Sequence, residues 1–431
     1  MTNHDSASAA PAVASPVPAS PPSGTNSSGR RGRGVPGALG LLQQRDFRLL
    51  LVGSVMVSAG YNLRQMAQAW LVLDLTGSPL KAGIVNAMPG LAVFTSLYGG
   101  AVLDRADRRA VLLRARVALT LLILTAAVLV ATGVIQWWYL VLIGLGLSRA
   151  FTFHDTANQS FAMDIVGRDR LMKAASISTI VSNVAAVATP AVGGALIAAD
   201  ISWAFWLLAG LYAVSFLSVL PIRTRTASRA ATRNVLAEMR EGLSYAARSP
   251  VIMWLLVLSS VFLFMGVTSA IIPVFARDIF DVGATGYGVL ATVQAAGSLS
   301  GAVALTLAGD VRRPGVLMFV TLIAAGGALA LLGASPWYPL ALAALFVLGV
   351  TQTVLFITLP TTLQKHSAPE MRSRVVALFF MVVTLMMLGW VVGGALASLI
   401  DARGTAFVAA AGTAGLTLLV FGSSRTLREL N

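Results

Sequence analysis

Residues 99–109 read GGAVLDRADRR and separate two apolar stretches, each long enough to cross a lipid bilayer. Glycines end the first stretch, and an acid and several arginines precede the second. A turn of this composition suits a tight connection at a membrane surface, where ion pairs form and break. The sequence therefore predicts a membrane protein with a charged turn between two consecutive helices.

The composition indicates the same class of protein. Hydrophobic residues make up 57% of the chain, charged residues 11%, and the mean hydropathy is +0.80, which is too apolar for a soluble globular domain. The formal charge is +14, but the basic residues lie between apolar stretches rather than on one folded surface, which argues against nucleic-acid binding. The chain has no cysteine, which excludes disulfides and thiolate metal sites. No metal or cofactor is predicted.

Twelve apolar stretches of roughly 18 to 25 residues recur, the length that an α-helix needs to cross the hydrocarbon core. We number them span 1 to span 12, and they are predicted to begin at Phe47, Ala82, Val111, Trp137, Ala174, Trp203, Val251, Gly286, Pro314, Trp337, Val375 and Thr405. The predicted fold class is an all-α membrane protein with 12 transmembrane helices.

The domain organisation follows from the composition along the chain. Residues 1–44 are rich in Ala, Pro, Ser and Gly, without the apolar run of a signal peptide, and are predicted to be a disordered cytoplasmic tail. An N-terminal six-helix lobe (45–222), a basic cytoplasmic linker (223–250), a C-terminal six-helix lobe (251–425) and a second cytoplasmic tail (426–431) follow.

The positions of the basic residues predict the orientation. Of the 31 Lys and Arg residues, 26 fall in the tails and in the turns after even-numbered spans. Only Lys81, Arg277 and Arg403 fall in the other turns, and Arg64 and Arg149 lie within spans. By the positive-inside rule, both termini are predicted to be cytoplasmic.

The two halves of the chain repeat. Residues 190–196 (PAVGGAL) are echoed by residues 392–396 (VGGAL), with an offset of 200 between the shared glycines. The turn at Asp104 is echoed by Gly309–Arg313, with an offset of 206 between Asp104 and Asp310. This repeat predicts two pseudo-symmetric six-helix lobes with a cavity at their interface.

Three motifs carry a family resemblance: residues 45–49 (RDFRL), residues 68–79 (QAWLVLDLTGSP) and the charged turn. Together they resemble the bacterial exporter branch of the major facilitator superfamily, which includes siderophore exporters and transmembrane secretion effectors, over about residues 45–425. The resemblance implies the major facilitator fold, alternating access, a multi-pass location in the bacterial plasma (inner) membrane and a monomeric state.

The resemblance also implies gating roles for the charged turns. Asp104 would cap a helix of the other lobe, and Arg105, Arg108 and Arg109 would hold the cytoplasmic side closed. The shortened copy after span 8 adds Asp310 and Arg312 to the gating residues.

A second motif lies in span 5, where Pro190, Gly193 and Gly194 resemble the helix-packing motif of drug and metabolite antiporters. Thr189 stands where that motif has a glycine. The alternative reading is close helix packing by small residues without an antiport role.

Span 1 contains a polar stripe. Tyr61, Arg64, Gln65 and Gln68 recur at helical spacing and share one face of an otherwise apolar helix. An arginine at this depth costs a few kcal/mol unless it meets a water-filled cavity, a partner or an anionic ligand. We predict that this stripe binds substrate; the alternative is a fixed hydrogen-bond network with Gln68 or with span 4 carbonyls.

Other residues are predicted to line the same cavity or to carry protons. Arg149 in span 4 is a candidate substrate contact, or else pairs with Asp155 or reaches the interface by snorkelling. Asp155 and its neighbour His154 are the candidate coupling groups, or else a helix-end pair. The remaining substrate-binding candidates are Asn86, Asn183, Gln294, Gln352 and Trp390, each of which has interhelical bonding as its alternative.

The predicted function follows from the charge balance of the spans. Cations and amides without acids at span midpoints favour small anionic or neutral amphiphiles such as a siderophore, natural product or drug. No phosphate-binding loop is present, which favours an ion gradient, with the proton as coupling ion, over ATP. No nucleophile, base or metal cluster indicates an enzyme. The predicted protein is therefore an efflux antiporter whose partners are a small-molecule substrate and membrane lipid.

Two alternatives remain at this stage. One is an importer or facilitator of an organic anion on the same fold, because a fold does not set direction. The other is a membrane receptor or scaffold that does not transport.

Overall fold

The first six spans are helices in the computed structural model, which describes residues 39–91, 107–167, 170–222, 235–309 and 311–423. A short helix, Leu39–Leu42, precedes them. Span 1 is Arg45–Thr76, span 2 begins as Pro79–Ala87 and continues in the 3₁₀ turn Met88–Leu91, and spans 3 to 6 are Arg108–Ala131, Trp137–Val166, Leu171–Ala199 and Ile201–Val219. Over the described ranges the chain forms no strand.

The second half repeats this arrangement after a linker helix, Val235–Arg248. Span 7 comprises Pro250–Ser259, Val261–Val274 and the π turn Phe275–Ile279, and spans 8 to 10 are Gly283–Ala308, Pro314–Ala334 and Tyr338–Lys365. Span 11 comprises Arg372–Val383 and the first part of Leu385–Ser423, which Asp401 divides because its φ of 70° is not helical. Span 12 is the part after Asp401.

The structure confirms the twelve predicted spans, each of which begins within four residues of its predicted start. Eight described segments meet a strict standard of length and apolarity for a membrane crossing, and the last of them, Arg372–Ser423, contains both span 11 and span 12. Spans 1 and 4 are long enough but carry more polar side chains, and span 2 is described only as far as Leu91.

Local signals fix where the spans begin and end. The side chains of Ser78, Asp107 and Asp200 accept hydrogen bonds from the backbone N–H groups that begin spans 2, 3 and 6. These caps satisfy amides that have no partner inside a helix. Gly77 ends span 1 in the left-handed conformation, with φ of 60°, where a side chain is unfavourable.

The helices alternate in direction, so the bundle has two sides. We call the side with Arg45, Val219 and Ser423 the terminal side, and the side with Gly77, Asp200 and Asp401 the far side. The linker helix lies near the terminal side, where Glu241 forms an ion pair of 2.6 Å with Arg374 at the start of span 11.

The repeated glycines make equivalent contacts in the two lobes. A Cβ atom at Gly193 would lie 2.6 Å from the Leu63 side chain in span 1, and one at Gly393 would lie 2.7 Å from the Val267 backbone in span 7. Residues 193 and 393 differ by 200, and residues 63 and 267 by 204. The sequence repeat therefore corresponds to a packing repeat of two six-helix lobes.

The next glycine of each motif packs against the opposite lobe. A Cβ atom at Gly194 would lie 2.8 Å from Gly288 Cα in span 8, and one at Gly394 would lie 2.5 Å from the Pro79 carbonyl oxygen in span 2. Only glycine allows two backbones to approach this closely. Spans 5 and 8, and spans 2 and 11, thus form two close seams between the lobes.

Among the described residues, the buried apolar core that the two lobes share lies on the far side. The largest cluster of buried apolar residues joins Leu71 of span 1 with Phe275 of span 7 and Ala397 of span 11. On the terminal side, the clusters that the described residues form each belong to one lobe, around Phe161 in the N-terminal lobe and Phe379 in the C-terminal lobe. The lobes are therefore packed together on the far side.

Candidate functional site

Two residues of the polar stripe of span 1 are buried inside the N-terminal lobe, and the other two, Tyr61 and Gln65, are partly buried. The side chains of Arg64 and Gln68 both have an exposed fraction of 0%. Arg64 Nη1 donates a hydrogen bond to Gln68 Oε1 one helical turn away. The pairing with Gln68 that the sequence offered as an alternative is therefore present, and it uses one nitrogen of the guanidinium.

Aromatic rings surround this guanidinium. The Tyr61 ring lies over it, with 5.2 Å from Arg64 Cζ to the ring centroid. Tyr61 packs edge-on against Phe151 of span 4 at 5.6 Å, and Phe151 packs edge-on against Tyr212 of span 6 at 6.3 Å. Such rings attract a cation through their faces and offer flat apolar surface to an organic group. We call Tyr61, Arg64, Gln68, Phe151 and Tyr212 the Arg64 site.

Several polar atoms of this site lack partners. Arg64 Nε, Arg64 Nη2, Gln68 Nε2 and the Tyr212 hydroxyl make no hydrogen bond of normal geometry with the described residues. None of the carboxylates in the described ranges forms an ion pair with Arg64. A buried charge that lacks a counterion is costly in a membrane, so the site is suited to a ligand that supplies acceptors.

Asp155 and His154 lie on span 4, one turn from Phe151. His154 is buried, with its Nδ1 atom 3.2 Å from Asp155 Oδ1, whereas the Asp155 side chain is 70% exposed. The carboxylate of Asp155 is also within electrostatic range of Tyr61. The structure therefore brings both predicted coupling residues next to the Arg64 site, and it pairs Asp155 with His154 rather than with Arg149.

A second buried arginine, Arg116, was not singled out by the sequence analysis. Its side chain in span 3 is 0% exposed, and its guanidinium donates to the Ser215 carbonyl oxygen at 2.6 Å, to Ser218 Oγ at 3.2 Å and to Asn158 Oδ1 at 3.3 Å. It also acts electrostatically on His154. The prediction that only Arg64 and Arg149 lie within spans is therefore wrong.

The sequence contained a signal for Arg116. It lies eight residues after the start of its helix, which places it about 12 Å along the axis. It also follows Arg109 by seven residues, and residues at that spacing share a helix face. Its position inside the span is easily overlooked because the basic turn lies directly before it in the sequence.

Gly53 of span 1 provides the room for Arg116. A Cβ atom at position 53 would lie 2.0 Å from Arg116 Nη1 and 2.4 Å from Ser218 Oγ. The neighbouring Ser54 Oγ donates to Asn158 Oδ1 at 3.1 Å. Spans 1, 3, 4 and 6 thus meet around one guanidinium.

The other predicted substrate contacts of the N-terminal lobe form no described hydrogen bond with the side chains of the Arg64 site. Asn86 Nδ2 donates to the Gln65 carbonyl oxygen at 3.4 Å, which links spans 1 and 2. Asn183 is half-buried in span 5. Arg149 is exposed and follows Leu142, an exposed apolar residue, by seven positions, so it shares the outer face of span 4.

Two predicted residues in the C-terminal lobe meet each other instead. Gln294 of span 8 and Gln352 of span 10 line one small cavity together with Phe264, Met265 and Thr268. Trp390 is only 4% exposed, and its carbonyl oxygen would lie 2.2 Å from a Cβ atom at Gly83. The structure thus places Trp390 in the seam of spans 2 and 11 rather than on an open cavity wall.

The predicted gating residues are described in part. Asp104, Arg105 and Asp310 lie outside the described residues. Arg108 forms an ion pair of 2.9 Å with Asp164 in span 4, and Arg109 Nη2 donates to the Leu220 carbonyl oxygen at 2.9 Å. Both contacts stay within the N-terminal lobe, and Arg312 is exposed.

The far side contains a contact that the sequence did not indicate. Arg277 Nη1, at the end of span 7, donates to the Leu73 carbonyl oxygen in span 1. The Trp70 and Tyr287 rings stack beside it at 5.9 Å. Pro190, whose carbonyl oxygen would lie 2.7 Å from a Cβ atom at Gly288, belongs with Gly194 to the seam of spans 5 and 8.

Comparison with known proteins identifies the family of this chain. A family model described as Major Facilitator Superfamily matches residues 49–388. The chain belongs to this superfamily. Its members are membrane transporters, so this chain is a multi-pass membrane transporter and not an enzyme.

Relatives in the superfamily agree with this fold. Enterobactin exporter EntS of Escherichia coli O1:K1 / APEC is 25% identical over 386 residues, which cover 87% of this chain and 90% of EntS. A variant of the nucleoside transporter NupG superposes with a TM-score of 0.72 at 14% identity, covering 88% of this chain and 99% of NupG. A bacterial homologue of the iron transporter ferroportin, in an inward-facing state, has a TM-score of 0.70 at 16% identity, covering 88% of this chain and 99% of that homologue. The two structural likenesses show the fold alone.

Proposed function

We propose that this chain exports a small anionic or neutral amphiphilic compound from a bacterial cell by proton-coupled alternating access. The observation that carries the proposal is Arg64, a fully buried cation without an ion pair to any described carboxylate, set among aromatic rings. A site of this charge attracts acceptor-rich ligands and repels cations. The 25% identity to an enterobactin exporter supports outward transport.

The proposed orientation places the terminal side in the cytoplasm and the chain in the inner membrane. The basic residues of the tails and of the turns after even-numbered spans support this orientation through the positive-inside rule. With that orientation, packing of the lobes on the far side corresponds to a state that opens toward the cytoplasm. An exporter loads its substrate in this state.

Proton coupling is assigned to Asp155 and His154. The Asp155 carboxylate is exposed, while its partner His154 is buried beside it. Because Asp155 is within electrostatic range of Tyr61, its charge acts on the Arg64 site.

Two measurements test the proposal: export from cells, and uptake into inverted membrane vesicles with an imposed pH gradient. Both use anionic, neutral and cationic fluorescent amphiphiles. We expect gradient-dependent transport of anionic or neutral compounds, lost in Arg64→Ala. Arg114→Ala is the matched control, because Arg114 lies on span 3 with an exposed side chain. Transport of cations alone, unchanged by Arg64→Ala, contradicts the proposal, and gradient-driven uptake into cells identifies an importer instead.

A further inference from the structure

One edge of the Arg64 guanidinium remains open. Its Nη1 atom donates a hydrogen bond to Gln68, whereas Nε and Nη2 make no hydrogen bond of normal geometry with any described residue although the side chain is fully buried. These two nitrogens point their N–H groups to the same side of the planar group. An arginine binds both oxygens of a carboxylate through such a pair of parallel N–H groups.

The other unpartnered groups of the site also favour an acceptor. Gln68 Nε2 can only donate, and the Gln68 oxygen already accepts from Arg64. The Tyr212 hydroxyl lies close enough to the Arg64 guanidinium for a weak hydrogen bond, in which its oxygen accepts, and its own proton makes no hydrogen bond of normal geometry with the described residues. Buried donors without acceptors cost free energy, which a ligand with several acceptor atoms recovers.

The charge of the site favours a monoanion. Arg116, the other buried cation of this lobe, is bonded to Ser215, Ser218 and Asn158 and does not reach into the Arg64 site. One guanidinium balances one negative charge, whereas a phosphate monoester carries about −1.5 to −2 near neutral pH. A carboxylate matches the site in both charge and planar geometry.

Tyr61 provides the cover. Its ring lies 5.2 Å from Arg64 Cζ, and Tyr61 is half-buried where Arg64 is fully buried. The ring covers one face of the guanidinium, and it turns aside to make room for the flat body of a ligand bound at the open edge. The ring then packs against the flat body of the ligand together with Phe151.

We propose that Arg64 binds a carboxylate group of the transported compound through Nε and Nη2, with Tyr61 as the movable cover of the site. This rests on the proposed transport function for its biological role, but it is a statement about binding and is testable without transport. The substrate class that it names is an aromatic or otherwise flat amphiphile that carries one carboxylate.

The test is equilibrium binding to the purified full-length protein in detergent, measured by the fluorescence of dansylglycine and of its methyl ester. We expect the acid to bind at least about tenfold more tightly than the ester, which corresponds to about 1.4 kcal/mol. Arg64→Lys keeps the charge but lacks the parallel N–H pair, so it should lose most of this preference, as should Arg64→Gln. Arg114→Lys is the control and should bind like the wild type.

The cover is tested separately with a variant of Tyr61. Tyr61→Ala should speed both association and dissociation of dansylglycine in stopped-flow measurements, whereas Arg114→Ala, at an exposed position of span 3, should change neither rate. Equal affinity for acid and ester in the wild type, or full preference in Arg64→Lys, overturns the carboxylate site. If the Arg64 variants aggregate on size exclusion, the comparison of acid with ester in the wild type decides.

Failure of the site and failure of the transport function give different results. Tight, Arg64-dependent binding of dansylglycine without gradient-driven transport in vesicles keeps the site and refutes the function. Gradient-driven transport that does not distinguish acid from ester keeps the function and refutes the site.

Discussion

The two lobes share one packing scheme but bury different chemistry. The Gly193 and Gly393 contacts superimpose Leu63 on Val267, so Arg64 of the N-terminal lobe corresponds to Thr268 of the C-terminal lobe. Arg64 leaves donors unsatisfied, whereas Thr268 is satisfied by the Phe264 carbonyl oxygen of its own helix, 2.9 Å away. The comparison teaches that the repeat supplies the scaffold, whereas the buried arginines of the described residues, Arg64 and Arg116, both lie in the N-terminal lobe.

The shared seams should be the most sensitive feature of the molecule. Gly194→Ala places a methyl group about 2.8 Å from the Gly288 backbone, and Gly394→Ala places one about 2.5 Å from the Pro79 carbonyl oxygen. Overpacking of this kind costs about 1–3 kcal/mol, and it acts here against closure of the far side. We expect both variants to lose most export in vesicles.

The chain has no cysteine, so a single Ile279→Cys reports opening of the far side, because Ile279 lines a groove between the lobes there. Thiol labelling at this position should increase in both glycine variants. Gly327→Ala is the control, since a Cβ atom there meets nothing within 4 Å. If only one of the two seam variants responds, the lobes are not equivalent in closing the far side.

The buried Arg116 should contribute to the stability of the N-terminal lobe through its hydrogen bonds. Arg116→Met leaves the Ser215 carbonyl oxygen and Asn158 Oδ1 without their charged donor, which should lower the free energy of unfolding by about 2 kcal/mol. The matched control is Arg114→Met on the same helix, whose side chain is exposed and should change little. Thermal unfolding in detergent is the measurement, and an unchanged melting temperature for Arg116→Met makes the buried charge dispensable to the N-terminal lobe.

The contact of Arg277 with Leu73 joins the lobes at equivalent positions, since the two residues are 204 apart like Leu63 and Val267. Arg277 is partly exposed, so Arg277→Gln should destabilise the packed far side by only about 1 kcal/mol. This free energy corresponds to about a fivefold shift in population toward the state that is open on the far side. Labelling of Ile279→Cys should rise accordingly. Arg403→Gln serves as the control, because Arg403 donates to the Ser335 carbonyl oxygen within its own lobe, and equal effects of the two variants contradict a role between the lobes.

The smallest effect concerns the cap of span 6. Hydrogen bonds from the Ser202 side chain and backbone lower the pKa of Asp200. A carboxyl group with a lowered folded pKa stabilises the fold above its unfolded pKa, and the contribution is lost as the pH falls through the folded pKa. The protection of the amides at the start of span 6, relative to their intrinsic exchange rates, should therefore fall as the pH drops through the folded pKa of Asp200, and this fall should be absent in Asp200→Asn. The same pH dependence in the Asn variant assigns the effect elsewhere.

The sequence predicted the scaffold better than the site. Span starts follow from apolar length and from caps such as Asp200, which act within a few residues and are visible in the sequence. The polar stripe was found because helical spacing places Arg64 and Gln68 on one face. The repeated glycines likewise predicted two equivalent lobes.

The spacing of residues along a helix does not specify which other span each helix face contacts. Gln294, Gln352 and Trp390 are polar or aromatic in apolar spans, as a cavity wall requires, yet the first two face a cavity within the C-terminal lobe and Trp390 lies in a seam. Arg116 was missed because its charge resembles that of the basic turn before it. These outcomes depend on contacts between spans, which tertiary packing decides.

Gly53 restricts the order in which this protein can change over evolution. Because a methyl group at position 53 would overlap the Arg116 guanidinium, whose bonds to Ser215 and Asn158 hold it in place, substitution of Gly53 is harmful while the arginine remains. Replacement of Arg116 alone still leaves Ser218 Oγ 2.4 Å from a Cβ atom at position 53. Positions 53, 116 and 218 therefore constitute one inherited unit, in which the glycine changes last.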